Sequence, residues 1–133
     1  EARRKAEAER KRKEAEARRR AEQKAREAEL AAQLQAEQDE RESASTIAAI
    51  KRKVNNSWLR PPAAAGRDLE AKVRVRLSES GSVLLVQVVK SSGDGAFDRS
   101  VEAAVYKADP LPMPKSPRLI ARFRDFTFIF RPE

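Results

Sequence analysis

Residues 1–42 are built almost entirely from Ala, Glu, Gln, Lys and Arg, with no Gly or Pro, and this stretch limits what the whole chain can become. These residue types are strong helix formers, but they offer almost nothing to bury. The only large apolar side chains among them are Leu30 and Leu34. Any core must therefore come from residues 43–133. Glu stands four residues ahead of a base at Glu1–Lys5, Glu7–Lys11, Glu9–Lys13, Glu14–Arg18, Glu16–Arg20 and Glu22–Arg26. That order suits a helix, each pair contributing about 0.2–0.5 kcal/mol. Ala recurs, but no sustained heptad of Leu, Ile or Val accompanies it. The pattern predicts a solvated single helix over residues 1–44, about 63 Å long for the first 42 residues, with a weak Ala-seam coiled coil as the alternative. Thirteen bases face twelve acids in residues 1–42, so the acids cancel the charge that nucleic acid would need.

Residues 45–133 read as one small α+β domain. Either Ser43 or Ser45 caps a new helix, or the first helix runs on. In both cases Ile47, Ile50, Val54 and Trp58 share one helical face, with Lys51, Arg52, Lys53 and Asn55 on the other side. Pro61-Pro62 stops the helix, and residues 63–66 read as a loop. From 71 to 78, Val73, Val75 and Leu77 alternate with Lys72, Arg74 and Arg76, the signature of a strand with one buried and one wet face. A turn at Glu79-Ser80-Gly81-Ser82 leads to a second strand over 83–89. Asp94 is placed to cap a second helix, whose apolar face carries Phe97, Val101, Ala104, Val105 and Ala108. Asp109-Pro110 ends it, and Leu111-Pro112-Met113-Pro114 with Pro117 predicts a stiff extended loop. The last strand is expected over 123–130, with Phe126, Phe128 and Phe130 on one face and Thr127 and Ile129 on the other. A right-handed crossover then gives a three-stranded antiparallel-type sheet in the order 2-1-3, with the helices packed on one face.

Composition removes most enzyme classes. The chain has no Cys and no His, so disulfides, thiolate and imidazole metal sites and His-based proton transfer are excluded. Asp94, Asp98 and Glu102 sit at a helix start, where capping and dipole complementation account for them. No metal-ligand spacing or phosphate-cradling glycine loop is present, and no run of apolar residues is long enough to span a bilayer. No catalytic residue, cofactor, metal, small-molecule substrate or nucleic acid is expected. The chain opens on Glu1, and the expectation is a piece of a longer protein. The net charge of +8 falls almost wholly on residues 43–133, which hold 16 bases against 9 acids. Such a domain suits an acidic or anionic partner.

An open three-stranded sheet has two edges able to accept a further strand. The candidate partner-binding edge is the last strand, comprising Phe123, Arg124, Asp125, Phe126, Thr127, Phe128, Ile129 and Phe130, whose centre is free of charge. The alternative is the edge at 83–89. Lys72, Arg74 and Arg76 are candidate steering charges for an acidic partner.

Ser92-Gly93-Asp94, Phe97-Asp98, Ser100-Val101-Glu102, Ala104-Val105 and Leu111-Pro112-Met113-Pro114 resemble the TolA branch of the TolA/TonB C-terminal family. Trp58 with Arg60-Pro61-Pro62 and the turn at Gly81 fit the same pattern, which covers residues 45–133. The Ala/Glu/Lys/Arg-rich stretch resembles the distal helical stalk of TolA-like proteins rather than the Pro-rich spacer of TonB-like ones. The resemblance implies a non-enzymatic periplasmic tip of the Tol–Pal system in a Gram-negative envelope. An inner-membrane anchor joining TolQ and TolR is expected elsewhere in the protein. The implied partners are the TolB N-terminal segment, Pal-linked complexes, colicins and filamentous-phage coat protein, often engaged by strand addition. The implied roles are envelope integrity and cell division. The alternative is a TonB-like energy transducer for outer-membrane transporters.

Overall fold

The structure, a computed structural model, describes residues 1–62 and 66–132. The loop expected over 63–66 therefore lies, at 63–65, outside the described residues. The elements run α1 (Ala2–Ser57), β1 (Ala71–Leu77), β2 (Val83–Lys90), α2 (Gly95–Lys107), α3 (Pro117–Phe123) and β3 (Asp125–Phe130). The chain divides into two units, Glu1–Glu40 and Arg41–Glu133.

The first unit is helical from Ala2 onward and exposed along nearly its whole length. Leu30 and Leu34 are 57% and 51% exposed. Glu9–Lys13 and Glu22–Arg26 approach to 3.6 and 3.9 Å, and Gln35 Nε2 donates to Asp39 Oδ1 at 3.0 Å. Backbone propensity and such weak i,i+4 contacts define this helix, not a core.

The second unit is two-layered. Its sheet has the order β2-β1-β3, antiparallel throughout, and the helices cover one face. Ala71, Val73, Val75 and Leu77 of β1 are at most 1% exposed. They pack with Ile50 and Val54 of α1, with Phe97, Val101, Ala104 and Val105 of α2, and with Phe123, Phe128 and Phe130. α1 runs through Ser43 and Ser45 without a break, so neither caps a new helix. It ends at Ser57, ahead of Pro61, so Trp58 lies just past the helix, half-buried against the core. Asp94 caps α2 as expected, its carboxylate accepting from the Ala96 and Phe97 amides at 2.9 and 3.2 Å.

The segment before β3 departs from the expected extended loop. Pro117–Phe123 forms a short helix with Pro in its first turn and Leu119 and Phe123 buried four residues apart, so β3 begins at Asp125 instead of 123. Pro tolerates the first helical turn because the amide it lacks has no partner there. Ser116 makes no side-chain cap. The carboxylate of Glu42 on α1 instead anchors the residues just ahead of the helix, taking the Lys115 and Ser116 amides at 2.6 and 2.9 Å and the Ser116 hydroxyl at 2.6 Å. Glu42→Ala should lower unfolding stability by about 1–2 kcal/mol, read as a shifted urea midpoint with an unchanged slope, and Glu42→Gln should recover part of it.

Gly81 holds the β1–β2 turn at φ +93. Its carbonyl accepts from Leu111 N at 2.9 Å, and a Cβ there would stand 2.2 Å from the Leu111 carbonyl oxygen. Gly93, at φ +94, has open space around that position. Both positions carry the left-handed penalty of about 1–2 kcal/mol for a side chain, but only Gly81 adds a clash with backbone. Gly81→Ala should thus destabilise the domain by at least about 1 kcal/mol more than Gly93→Ala in parallel urea titrations.

Candidate functional site: the open edge of the sheet

The strand order leaves β2 and β3 as edges. The Leu77 amide donates to the Arg124 carbonyl at 2.8 Å, which makes these two a bonded pair in the β1–β3 register. Bonded and non-bonded pairs alternate in an antiparallel ladder. Val75–Phe126, Val73–Phe128 and Ala71–Phe130 are therefore bonded, and the backbones of Asp125, Thr127 and Ile129 turn their N–H and C=O groups outward, away from β1. The same alternation turns Val86 and Val88 outward on β2.

The two edges are not equivalent. On β2, the Tyr106 hydroxyl accepts from the Val86 amide at 3.3 Å, and Asp109 Oδ1 accepts from the Val83 amide at 3.2 Å. Register shifts at Lys72/Val73 and Arg76/Leu77 also distort that ladder. The β3 edge instead opens on a groove of about 420 Å³ between Ala48, Lys51, Arg52 and Asn55 of α1 and Ile129, Phe130 and Arg131. The four α1 residues fall at i, i+3, i+4 and i+7, one stripe of the helix. Of its cations, Arg131 is held by Asp68 through two bonds at 3.1 and 2.9 Å. Lys51 and Arg52 are exposed and, among the described residues, make no ion pair.

The eight residues of the candidate edge separate into three groups. Phe123 ends α3 and is buried. Arg124 caps that helix, its amide donating to Ile120 O at 3.1 Å, so both stand outside the strand. The rings of Phe126, Phe128 and Phe130 face the core, the last two only 4% and 2% exposed. Asp125, Thr127 and Ile129 occupy the opposite, open face.

The candidate steering charges lie on that open face too, but two are engaged. Arg74 grips Asp125 through Nε at 2.9 Å and Nη2 at 2.6 Å, and Arg76 Nε stands 3.8 Å from the same carboxylate. Lys72 lies opposite Ile129 on one side and Lys90 on the other. The hydrogen bond from Arg74 holds the Asp125 carboxyl below the usual carboxylate range; slight burial opposes it, and the charges of Arg74 and Arg76 reinforce it. At the other end of the domain, burial pushes Asp98 up, but hydrogen bonds from Ser91 and Ser92 and the charge of Arg99 outweigh it and leave Asp98 below its ordinary value.

Among the described residues no group of three or more acidic side chains is placed to hold a metal ion, and no helix is long and apolar enough to cross a membrane. In the sequence Lys51 and Arg52 sit on the polar side of a helix without a role, Asp109 marks only the end of the second helix, and Tyr106 carries no signal. Local sequence carries no sign that Tyr106 and Asp109 reach β2, since their meeting depends on how α2 packs.

The family described as TonB C terminal matches residues 45–128, more than half of the chain. The chain belongs to the TolA/TonB C-terminal family. Within that family it is similar to the Tol-Pal system protein TolA of Pseudomonas aeruginosa, 34% identical over 83 residues, covering 60% of this chain and 24% of that protein. The chain thus spans about a quarter of that relative's length. A solution structure of TolAIII bound to a peptide derived from the N-terminus of TolB is 32% identical with a TM-score of 0.57, covering 64% of this chain and 70% of that one. The Helicobacter pylori TonB C-terminal domain shares the fold, at 19% identity and a TM-score of 0.52 over 66% of this chain and 92% of that one.

A carboxyl whose folded pKa is depressed adds stability above its unfolded value, about 3.9 for Asp, and loses it as pH falls through the folded value. The stability gap between the parent domain and Asp125→Asn should therefore be present at pH 6 and close toward pH 2. Urea midpoints across that range measure it, and a constant gap would show that the Asp125 charge is immaterial.

Proposed function

We propose that residues 45–133 are the periplasmic protein-binding tip of a TolA-like envelope protein, and that the tip takes up an extended partner segment as a fourth strand along β3. The observation that carries this reading is the asymmetry of the edges. The backbone groups of Asp125, Thr127 and Ile129 turn outward, with a groove beside Ile129 at the far end of the strand, whereas the amides of Val83 and Val86 already have partners on the α2 side. Backbone hydrogen bonds supply affinity in strand addition, and pockets for alternate side chains supply selectivity. TolB is the favoured partner, because the similar TolAIII domain was solved with a peptide from the TolB N-terminus.

In this reading residues 1–44 are part of a helical stalk leading from an inner-membrane anchor that works with TolQ and TolR. The tip links that complex to TolB and Pal at the outer membrane in support of envelope integrity and division. Colicins and filamentous-phage coat protein use the same tip. The family match itself favours one second reading, a TonB-like transducer for outer-membrane transporters. Capture from periplasm separates the two, since recovery of such transporters instead of TolB would select the second.

Amide-shift mapping with a TolB N-terminal peptide tests the edge. The largest changes are expected at Asp125, Thr127 and Ile129; changes centred on 83–90 would move the site to β2, and changes confined to loops would remove both. Thr127→Pro deletes an outward donor without touching the bonds to β1, a placement proline tolerates on an edge. It should weaken the peptide about tenfold or more while the far-ultraviolet spectrum stays that of the parent.

A further inference from the structure

The groove beside β3 is walled by two cations that the domain itself does not use. Arg74 and Arg76 are drawn to Asp125, Arg131 to Asp68, and Lys53 to the Pro110 carbonyl. Lys51 and Arg52 have no such counter-charge among the described residues, and no acidic side chain lines the groove. Two exposed cations against a low-dielectric wall, with no carboxylate among the described residues lining the cleft, create a positive potential directed into it. The neighbouring backbone edge offers alternating donors and acceptors at strand spacing, which selects a polypeptide over a lipid or nucleic acid.

We propose that the segment taken up along β3 carries carboxylates on the side facing α1, and that Lys51 and Arg52 read them. This rests on strand addition along β3 as proposed above. Successive side chains of an added strand point to opposite faces. Those on the helix side point the same way as Phe126, Phe128 and Phe130, toward the α1 wall. The stripe from Ala48 to Asn55 covers about 10 Å of helix at 1.5 Å per residue, the length of about three strand residues at 3.3 Å each. Two inward positions, i and i+2, therefore fall within its reach. The partner pattern is an acidic residue at one or both of these positions, with the intervening side chain facing the open sheet surface near Ile129. Arg52 offers a planar fork for bidentate carboxylate binding and Lys51 a compact ammonium. Asn55, on the same stripe, adds a neutral donor and acceptor.

The test uses the whole chain and two probes: the TolB N-terminal peptide, and the same peptide with every Asp and Glu replaced by its amide. Titration calorimetry and amide shifts are read together for the parent, Lys51→Ala/Arg52→Ala and Lys51→Glu/Arg52→Glu. Both positions are exposed, so these variants keep the fold. The alanine pair should weaken the acidic peptide about tenfold and the glutamate pair further. The amide peptide should bind the parent about tenfold more weakly and lose nothing more to the alanine pair. If Lys51→Glu/Arg52→Glu binds within twofold of the parent while shifts persist at Asp125, Thr127 and Ile129, the acidic pattern is wrong and strand addition stands. If the parent shows no shifts along β3, strand addition falls, and this inference with it.

Discussion

The wall of the groove depends on three rings. Trp58, just beyond α1, meets Phe97 of α2 at 5.8 Å and Phe130 of β3 at 5.7 Å, both edge-on, and Phe97 stands 6.3 Å from Phe130. Each such contact contributes about 0.5–1.5 kcal/mol beyond the area it buries. Here they also fasten the end of one helix, the start of another and the end of the edge strand to one another. The indole Nε1 donates to Ser100 Oγ at 2.8 Å, and that hydroxyl donates to the Phe97 carbonyl at 2.6 Å, so the ring's polar atom is also fixed. The guanidinium of Arg60 lies 5.4 Å from the indole centroid, a cation–π contact on its outer side. Because Trp58 directly follows α1, this cluster sets where the stripe from Ala48 to Asn55 stands relative to Ile129.

A sheet of three strands must manage two exposed edges, and unprotected edges invite pairing between copies. This domain treats them unequally. β2 is bulged at both ends and has outward amides taken by Tyr106 and Asp109, devices that discourage pairing. Among the described residues, β3 is restrained at its limits. Asp125 is anchored to Arg74 at one end, and Arg131-Pro132 follows at the other, where proline has no amide to offer. The open stretch between these limits is short, which would restrict the registers of the guest strand proposed above.

Much of this was legible from local pattern. Strict alternation over Val73, Val75 and Leu77, and again over Phe126, Phe128 and Phe130, identifies the buried faces, because a strand's period of two leaves one assignment. Asp94 announces α2 by its capping chemistry. What escaped was the short helix before β3. Five prolines between 110 and 132 suggest extended chain, and seven residues give too few turns for a helical period to appear. Ser116-Pro117 was the available sign, since Ser then Pro is a common helix start. The chain entering that helix is instead anchored by Glu42, distant in sequence, and no local rule reaches it. The edge preference was equally hidden, because it turns on Tyr106 and Asp109 meeting β2 across the fold.

Charge shows the same limit from another side. Alternation places Lys72, Arg74 and Arg76 on one wet face, a row that looks available to a partner. The β1–β3 register sets Asp125 directly across from Arg76 and diagonal to Arg74, both within reach for a cross-strand pair. The two arginines therefore act first within the sheet, fixing the start of the edge strand. Lys51 and Arg52 arise from the opposite logic. Burying Ile50 and Val54 completely leaves residues 51, 52 and 55 turned aside, and the aromatic cluster brings that side next to β3. The domain's excess of bases thus has two physical roles. Arg74 and Arg76 on β1 hold the start of the edge strand through Asp125, and Lys51 and Arg52 on α1 are left exposed beside its end.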